Sequence, residues 1–336
     1  MELDEAFRFI GSKGPLKVGW YHILLYALLV FYNCWIIGFQ LMGMIFIGHV
    51  PKNYQCTPPD GFFTNDTTPV LDETTELDKC HMYEVQDGIV TQNITECLYG
   101  WDYERIIGET SIVTDFNLVC GDAIYAKIAQ SVFMVGVLAG SVTSGQISDF
   151  FGRKIVLHIA LVLKAVSGVI MALLWDYNAL VASWFFVGVF NQAIQISSYV
   201  MMTEMFPPEI RTISTPLVSL IWGLAVSSVV PIALLFPNWR HYQIFISVIC
   251  LIGVPLWWLT PESARWLISR GQIEEAEEIL KKMAKFNGIK IPNSFLSDDK
   301  EIPLNEDIIE PSNKGHDGEN EGEVHQQYYL LRAVTK

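Results

Sequence analysis

From Tyr21 to Gly48 the chain runs for 28 residues without one Asp, Glu, Lys or Arg. A helix needs about 20 residues to cross the hydrocarbon core of a bilayer. Five further apolar runs follow: Ile128 to Ser148, Ile155 to Trp175, Asn178 to Thr203, Thr212 to Asn238 and Tyr242 to Thr260. The second of these five holds one lysine, Lys164. Six such rods leave too little polar chain to bury them in a soluble protein, so the fold class is an all-α polytopic membrane protein with six transmembrane helices. A cleavable leader does not explain the first run, because its apolar part far exceeds the roughly 7–15 residues of such a segment.

Orientation follows from the lysines and arginines in short connections. Arg8, Lys13 and Lys17 precede the first run, Arg153 and Lys154 separate the second from the third, and Arg211 separates the fourth from the fifth. Arg265, Arg270, Lys281, Lys282 and Lys285 follow the sixth. With six spans all of these fall on one side, which predicts that both termini are cytoplasmic. The layout is then a cytoplasmic N-terminus over 1–20, a first span over 21–48, an extracellular loop over 49–122 and five spans within 123–260. A cytoplasmic amphipathic helix over 261–290 and a disordered acidic tail over 291–336 complete it. The net charge of −14 gathers in that loop and tail, which offer no basic face to a nucleic acid.

The long loop holds Cys56, Cys80, Cys97 and Cys120, four of the six cysteines. An even number in an oxidising compartment predicts two disulfides, with all three pairings open. Two glycosylation sequons, at Asn65 and Asn93, fall in the same loop and support an extracellular placement and a plasma-membrane destination. Cys34 and Cys250 lie inside apolar runs and read as packing residues. After the sixth run, "GQIEEAEEILKKMAKFNG" places Ile273, Ala276, Leu280 and Met283 at helical spacing, with supporting Glu277–Lys281 and Glu278–Lys282 pairs and Gly288 at the stop.

Between the second and third runs stands "GQISDFFGRK", in which Gly145, Asp149, Gly152, Arg153 and Lys154 satisfy G-x-x-x-D-x-x-G-R-K. Gly152 permits a sharp bend, Asp149 is placed to cap a helix or accept from an arginine, and the two cations hold the turn inside. Glu204 and Arg211 flank the end of the fourth run in "TEMFPPEIR", and Glu262 and Arg265 sit in "PESAR" after the sixth. The fourth run is unusually polar, with Asn191, Gln192, Gln195, Ser198 and Tyr199. Lys164 lies deep in the third, where a charge costs about 2.5–3.5 kcal/mol on insertion scales and calls for a partner or water. Gly136, Gly140 and Ser144 form a small-xxx-small stripe of the kind that lets helices approach closely. There is no nucleophile elbow, metalloprotease motif or phosphate loop, and the histidines are scattered, so neither an enzyme, a cofactor nor a metal is expected.

The G-x-x-x-D-x-x-G-R-K turn resembles the signature of the major facilitator superfamily. "TSIVTDFNLVC" before the second run, "TEMFPPEIR" and "PESARWLISRGQIEEAEEIL" resemble the organic cation, organic anion and carnitine transporter family, most nearly its carnitine and zwitterion branch. That resemblance, covering roughly residues 15 to 290, implies alternating-access transport of a small organic cation or carnitine-like zwitterion across a lipid bilayer. It implies a cavity near mid-membrane between two six-helix halves, of which this chain holds the amino-terminal one. Tyr199, Gln192, Gln195 and Lys164 are then the substrate-binding candidates. Gly145, Asp149, Gly152, Arg153, Lys154, Glu204, Arg211, Glu262 and Arg265 become a gating cluster. Trp184 departs from the family, which usually carries an arginine there. The other reading is a non-transporting half-carrier that associates with a second half or a full-length relative and regulates it.

Overall fold

The structure, a computed structural model, describes residues 3–11, 19–57, 80–86, 89–97, 100–104, 108–206 and 208–289. Asn65 and the acidic tail from 291 onward lie outside the described residues. Among the described residues, six helices are long and apolar enough to cross a membrane.

A short helix α1 (Leu3–Gly11) precedes the first span. That span, Trp20–Ile47, is a composite of α2 (Trp20–Phe31), a π turn over Tyr32–Ile36 and α3 (Ile37–Ile47). A π turn widens the helix and frees main-chain groups. Here the Ile36 carbonyl accepts a hydrogen bond from Lys164 Nζ at 3.0 Å. Asn33 in the same turn donates to the Gln195 carbonyl and to Ser198 Oγ, at 3.2 and 3.0 Å.

The loop begins with β1 (Tyr54–Cys56) and continues with β2 (His81–Gln86), β3 (Ile89–Glu96) and β4 (Trp101–Tyr103). These make two antiparallel ribbons, β1 with β4 and β2 with β3, and Asn93 lies in β3. Of the three pairings open to its cysteines, the loop uses Cys56–Cys97 and Cys80–Cys120. A one-turn helix α4 (Ile112–Asp115) is closed by a capping box between Ser111 and Thr114.

The other spans are α5 (Ala123–Phe151), α6 (Arg153–Leu173), α7 (Tyr177–Glu204), α8 (Pro208–Leu235) and α9 (Trp239–Gly253), the last prolonged by a 3₁₀ turn over Val254–Trp258. Asp176 caps α7 through Ala179 N–H and Asn238 caps α9 through Arg240 N–H, both at 2.8 Å. Helix α7 packs against both α5 and α6, while α9 lies along α6. The small-residue stripe explains the α5–α7 seam: a Cβ on Gly136 would strike the Phe185 carbonyl, and one on Gly188 would strike the Phe133 carbonyl.

Polar side chains also tie the spans together. Gln40 of α3 donates to Gln243 of α9 at 3.2 Å, and the hydroxyls of Tyr26, Tyr32 and Tyr242 donate to the carbonyls of Ser214, Gly253 and Phe39.

Beyond the last span come α10 (Ala264–Ser269) and α11 (Ile273–Phe286). Ala276, Leu280 and Met283 are buried as their spacing predicts, whereas Ile273 is exposed. Their partner is α1, whose Ala6, Phe7 and Ile10 join them in a small core. A nine-residue helix is too short to hold alone. Packing on α11 and an Asn287 hydrogen bond to the Ile10 carbonyl hold it instead.

Candidate functional site

Arg153 begins α6, one residue after the Gly152 bend, and its Nη2 contacts Asp149 at 2.9 Å and Glu204 at 3.1 Å. The two contacts differ in kind. Asp149 has a side chain 71% exposed, so that pair is strongly screened. Arg153 and Glu204 have side chains only 11% and 18% exposed, so neither charge is well served by solvent if the other leaves. The pair links the end of α7 to the start of α6.

Glu262 braces the same turn from below. Its carboxylate accepts from the main-chain N–H groups of Arg153 and Lys154 at 3.0 and 3.1 Å, satisfying two of the donors that open α6. Burial pushes the Glu262 carboxyl above its ordinary range, and the N–H groups of Ser263, Lys154 and Arg153 pull against that shift. Gly152 has φ +105°, and a Cβ there would strike the Glu262 carboxylate, so two independent reasons demand glycine. Trp266 Nε1 and Arg270 Nη2 of the α10 segment cap the other strand of the turn, donating to the Asp149 and Phe150 carbonyls at 2.7 and 2.6 Å. Lys154 Nζ lies 4.4 Å from the centre of the Trp257 ring.

Arg265 joins through the main chain, its Nε donating to the Glu204 carbonyl at 3.1 Å. Gly145 supplies a carbonyl to Ser148 Oγ and carries no contact with the charged groups among the described residues. Arg211 stands apart: its Nε donates to the Phe206 carbonyl at 2.8 Å, closing the turn between α7 and α8. Arg153 Nε and Nη1 and Glu204 Oε2 are buried and without partners among the described residues. The cluster therefore has bonding capacity to spare.

Gln192, Gln195 and Tyr199 stand at i, i+3 and i+7 and share one stripe of α7. Tyr199 is 40% exposed and both glutamines are half-buried, whereas Asn191 and Ser198 are wholly buried. The stripe thus opens outward from the six-helix bundle. Lys164 does not belong to it. It is fully buried, and its Nζ reaches the π-turn carbonyl of Ile36 and no acid among the described residues. Trp184 is buried in the core beside Phe133.

At the loop end of the bundle sits an ion pair that the sequence does not announce. Arg240 Nε meets Asp115 Oδ2 at 3.0 Å, and Trp239 Nε1 donates to the same carboxylate oxygen at 2.9 Å. Arg240 Nη1 donates to the Ala172 and Leu174 carbonyls, both at 2.8 Å, at the end of α6. The guanidinium lies 4.1 Å from the Trp175 ring centre and 4.7 Å from that of Trp239. Asp115 is the acid of "TSIVTDFNLVC", so that motif fastens the loop to α6 and α9.

Six membrane-length helices with a charged cluster at one end and a half-exposed polar stripe on one helix define a polytopic membrane protein of carrier type. Residues 88–302 match the family described as "Sugar (and other) transporter". The chain belongs to that family, among the organic cation, organic anion and carnitine transporters of the major facilitator superfamily, and its six spans correspond to half of that fold. It is 30% identical over 319 residues to human "Organic cation/carnitine transporter 2", covering 88% of this chain and 56% of that protein. It is 28% identical over 305 residues to the "Organic cation transporter protein" of Drosophila melanogaster, covering 88% of this chain and 55% of that one. A solved xylose symporter, XylE, superposes with a TM-score of 0.48 at 17% identity, over 85% of this chain and 52% of that one. The chain thus spans a little over half the length of the curated relatives it matches. The matched relatives are transporters, not enzymes.

Proposed function

We propose that this chain forms the amino-terminal half of an alternating-access carrier for a small organic cation or carnitine-like zwitterion. It would lie in the plasma membrane with both termini in the cytoplasm. The observation that carries this reading is the Arg153–Glu204 pair, braced by Glu262, at the junction of α6 and α7. The contacts are strong enough to hold one arrangement of helices. They are also incomplete, since buried donors of Arg153 and an acceptor of Glu204 lack partners among the described residues, and an unpaired buried polar group costs about 1–3 kcal/mol. A carboxyl-terminal half docking on this end would supply those partners in one access state and withdraw them in the other. Asp149, Arg153, Lys154, Glu204, Glu262 and Arg265 form this gate, with Gly145 and Gly152 shaping its turn and Arg211 setting the neighbouring bend.

Tyr199, Gln192 and Gln195 are the side chains we assign to substrate, because they line the part of α7 that the bundle leaves open. Lys164 acts on substrate only through the π turn it supports. Uptake of radiolabelled carnitine and of tetraethylammonium into cells expressing this chain, compared with mock-transfected cells, tests the reading. Uptake above mock in either assay supports transport by the chain as given; uptake equal to mock in both removes independent transport.

A second reading draws on the exposed spans. In the windows of Cys120–Phe151 and Ile210–Leu235 only 22% of the residues are buried inside the structure. A half-carrier that docks this surface on a full-length relative would regulate that relative without transporting. Co-expression that changes the relative's uptake, while the chain alone gives none, would select it.

A further inference from the structure

The short helix α1 lies against the charged cluster as well as against α11. Its Ala6, Phe7 and Ile10 are at most 4% exposed and share a core with Ala264, Leu280 and Met283. Phe7 is the residue that meets the cluster. Its ring centre lies 6.0 Å from Arg265 Cζ, and Arg265 Nε in turn holds the Glu204 carbonyl. Phe7 also lines a small internal gap with Met201, Glu204, Met205, Glu262 and Met283. At about 10 Å³ that gap has room for one water at most, so this is a packed joint and not a ligand site.

Phe7 also meets His22, the third residue of α2. The two rings pack edge to face with centres 5.8 Å apart, and the rings of Tyr21 and Phe206 stand 6.4 Å from the imidazole. His22 is 3% exposed, and neither ring nitrogen has a hydrogen-bond partner among the described residues. A neutral imidazole carries one N–H donor and one acceptor. With Phe7 in place, both are shut away from water.

These contacts oppose one another. Burial of Ala6, Phe7 and Ile10 holds α1 down. Asn287 helps, since its Nδ2 donates to the Ile10 carbonyl at 3.2 Å while its Oδ1 accepts from Tyr21 N–H at 3.1 Å. The unpaired imidazole works the other way, because release of α1 would return water to both nitrogens. A helix of nine residues is not stable by itself, so it leaves its seat as a unit.

We propose that α1 is a releasable clasp on the gate, docked by Phe7 and kept close to release by His22, so that α1 and the Arg153–Glu204 cluster loosen together. This rests on reading that cluster as a gate, but it concerns a coupling inside the chain and needs no transport. Such a coupling is reciprocal, so a change at either end is felt at the other.

Hydrogen exchange of the full chain in lipid nanodiscs, followed by mass spectrometry, reads both ends at once. Peptides over residues 3–11 report α1, and peptides over 150–156 report the Arg153 and Lys154 N–H groups that Glu262 accepts. Phe7→Ala should speed exchange at least about tenfold in both. Glu204→Gln should speed it in α1, although it changes no residue there. His22→Leu removes the unpaired nitrogens and keeps an apolar side chain, so it should slow exchange in both. Peptides of α9 should keep the parental rate throughout. Should Phe7→Ala or Glu204→Gln also speed α9, that variant has lost its fold and His22→Leu alone decides. Slowing at both ends supports the clasp, and slowing at α1 alone, or at neither, overturns it. In folded variants the clasp is equally overturned if Phe7→Ala leaves 150–156 at the parental rate, or if Glu204→Gln leaves α1 there. Uptake equal to mock would remove independent transport and leave the exchange result standing.

Discussion

Asp115 and Arg240 hold the loop end of the bundle through one carboxylate oxygen, with side chains only 19% and 11% exposed. Replacing Asp115 by Asn keeps the shape and strands the guanidinium, and breaking a buried pair from one side costs about 3–5 kcal/mol. Thermal unfolding in detergent should show a loss of that size for Asp115→Asn, and a loss under about 1 kcal/mol would mean that water already serves Arg240. Glu262 makes a prediction of the other sign. Its folded carboxyl titrates above the ordinary value of 4.5, because burial outweighs the N–H groups it caps. The folded state therefore holds that proton more tightly than the unfolded chain does. This group's contribution to stability is complete below 4.5 and declines as pH rises through the raised value. Glu262→Gln keeps an oxygen for Arg153 N–H and Lys154 N–H but does not titrate. Melting curves across a pH series should show it gaining on the parent protein as pH rises above 4.5, and a constant gap would refute the burial argument. The sequence made Asp149, Arg153, Glu204 and Glu262 visible because their motifs are short and local. Arg240 stayed hidden because an arginine in a two-helix turn looks like a surface cation until α4 is folded against it.

Glycines separate the elements that touch from those that do not. A Cβ at Gly136 would strike main chain of α7, whereas one at Gly223 of α8 would meet nothing within 4 Å. Gly136→Leu should cost at least about 1–3 kcal/mol through overpacking. Gly223→Ala should be neutral or stabilise by up to about 1 kcal/mol, since alanine loses less backbone freedom in a helix. Thermal stability of the two variants side by side checks the α5–α7 seam, and equal effects would contradict it. The seam was readable because Gly136, Gly140 and Ser144 repeat every four residues. The π turn at Tyr32–Ile36 was not, since it depends on Lys164, Gln195 and Ser198 meeting it from other parts of the chain. The same dependence explains α1, whose Ala6, Phe7 and Ile10 become a helical stripe only against Leu280 and Met283.

For the whole molecule, the number of spans follows from apolar run length alone, and a lysine count assigns their direction, but neither says which helices pack together. Direction is also the premise of every role given to the charged cluster, which acts as a cytoplasmic gate only if the cysteine loop faces outward. The two disulfides turn that premise into a count. Each bridge closes a separation of about 40 residues, a length at which cross-linking contributes roughly 4 kcal/mol in the chain-entropy account. In sealed right-side-out vesicles, an impermeant phosphine added outside should open both bridges and expose four thiols to an impermeant maleimide, read as four mass tags per chain. Cys34 and Cys250 are buried between spans and should stay untagged until the protein is unfolded. Four tags before lysis place the Arg153–Glu204 cluster on the cytoplasmic face. If tags appear only after lysis, the charge asymmetry has been read backwards, and the cluster would have to gate the opposite side of the membrane.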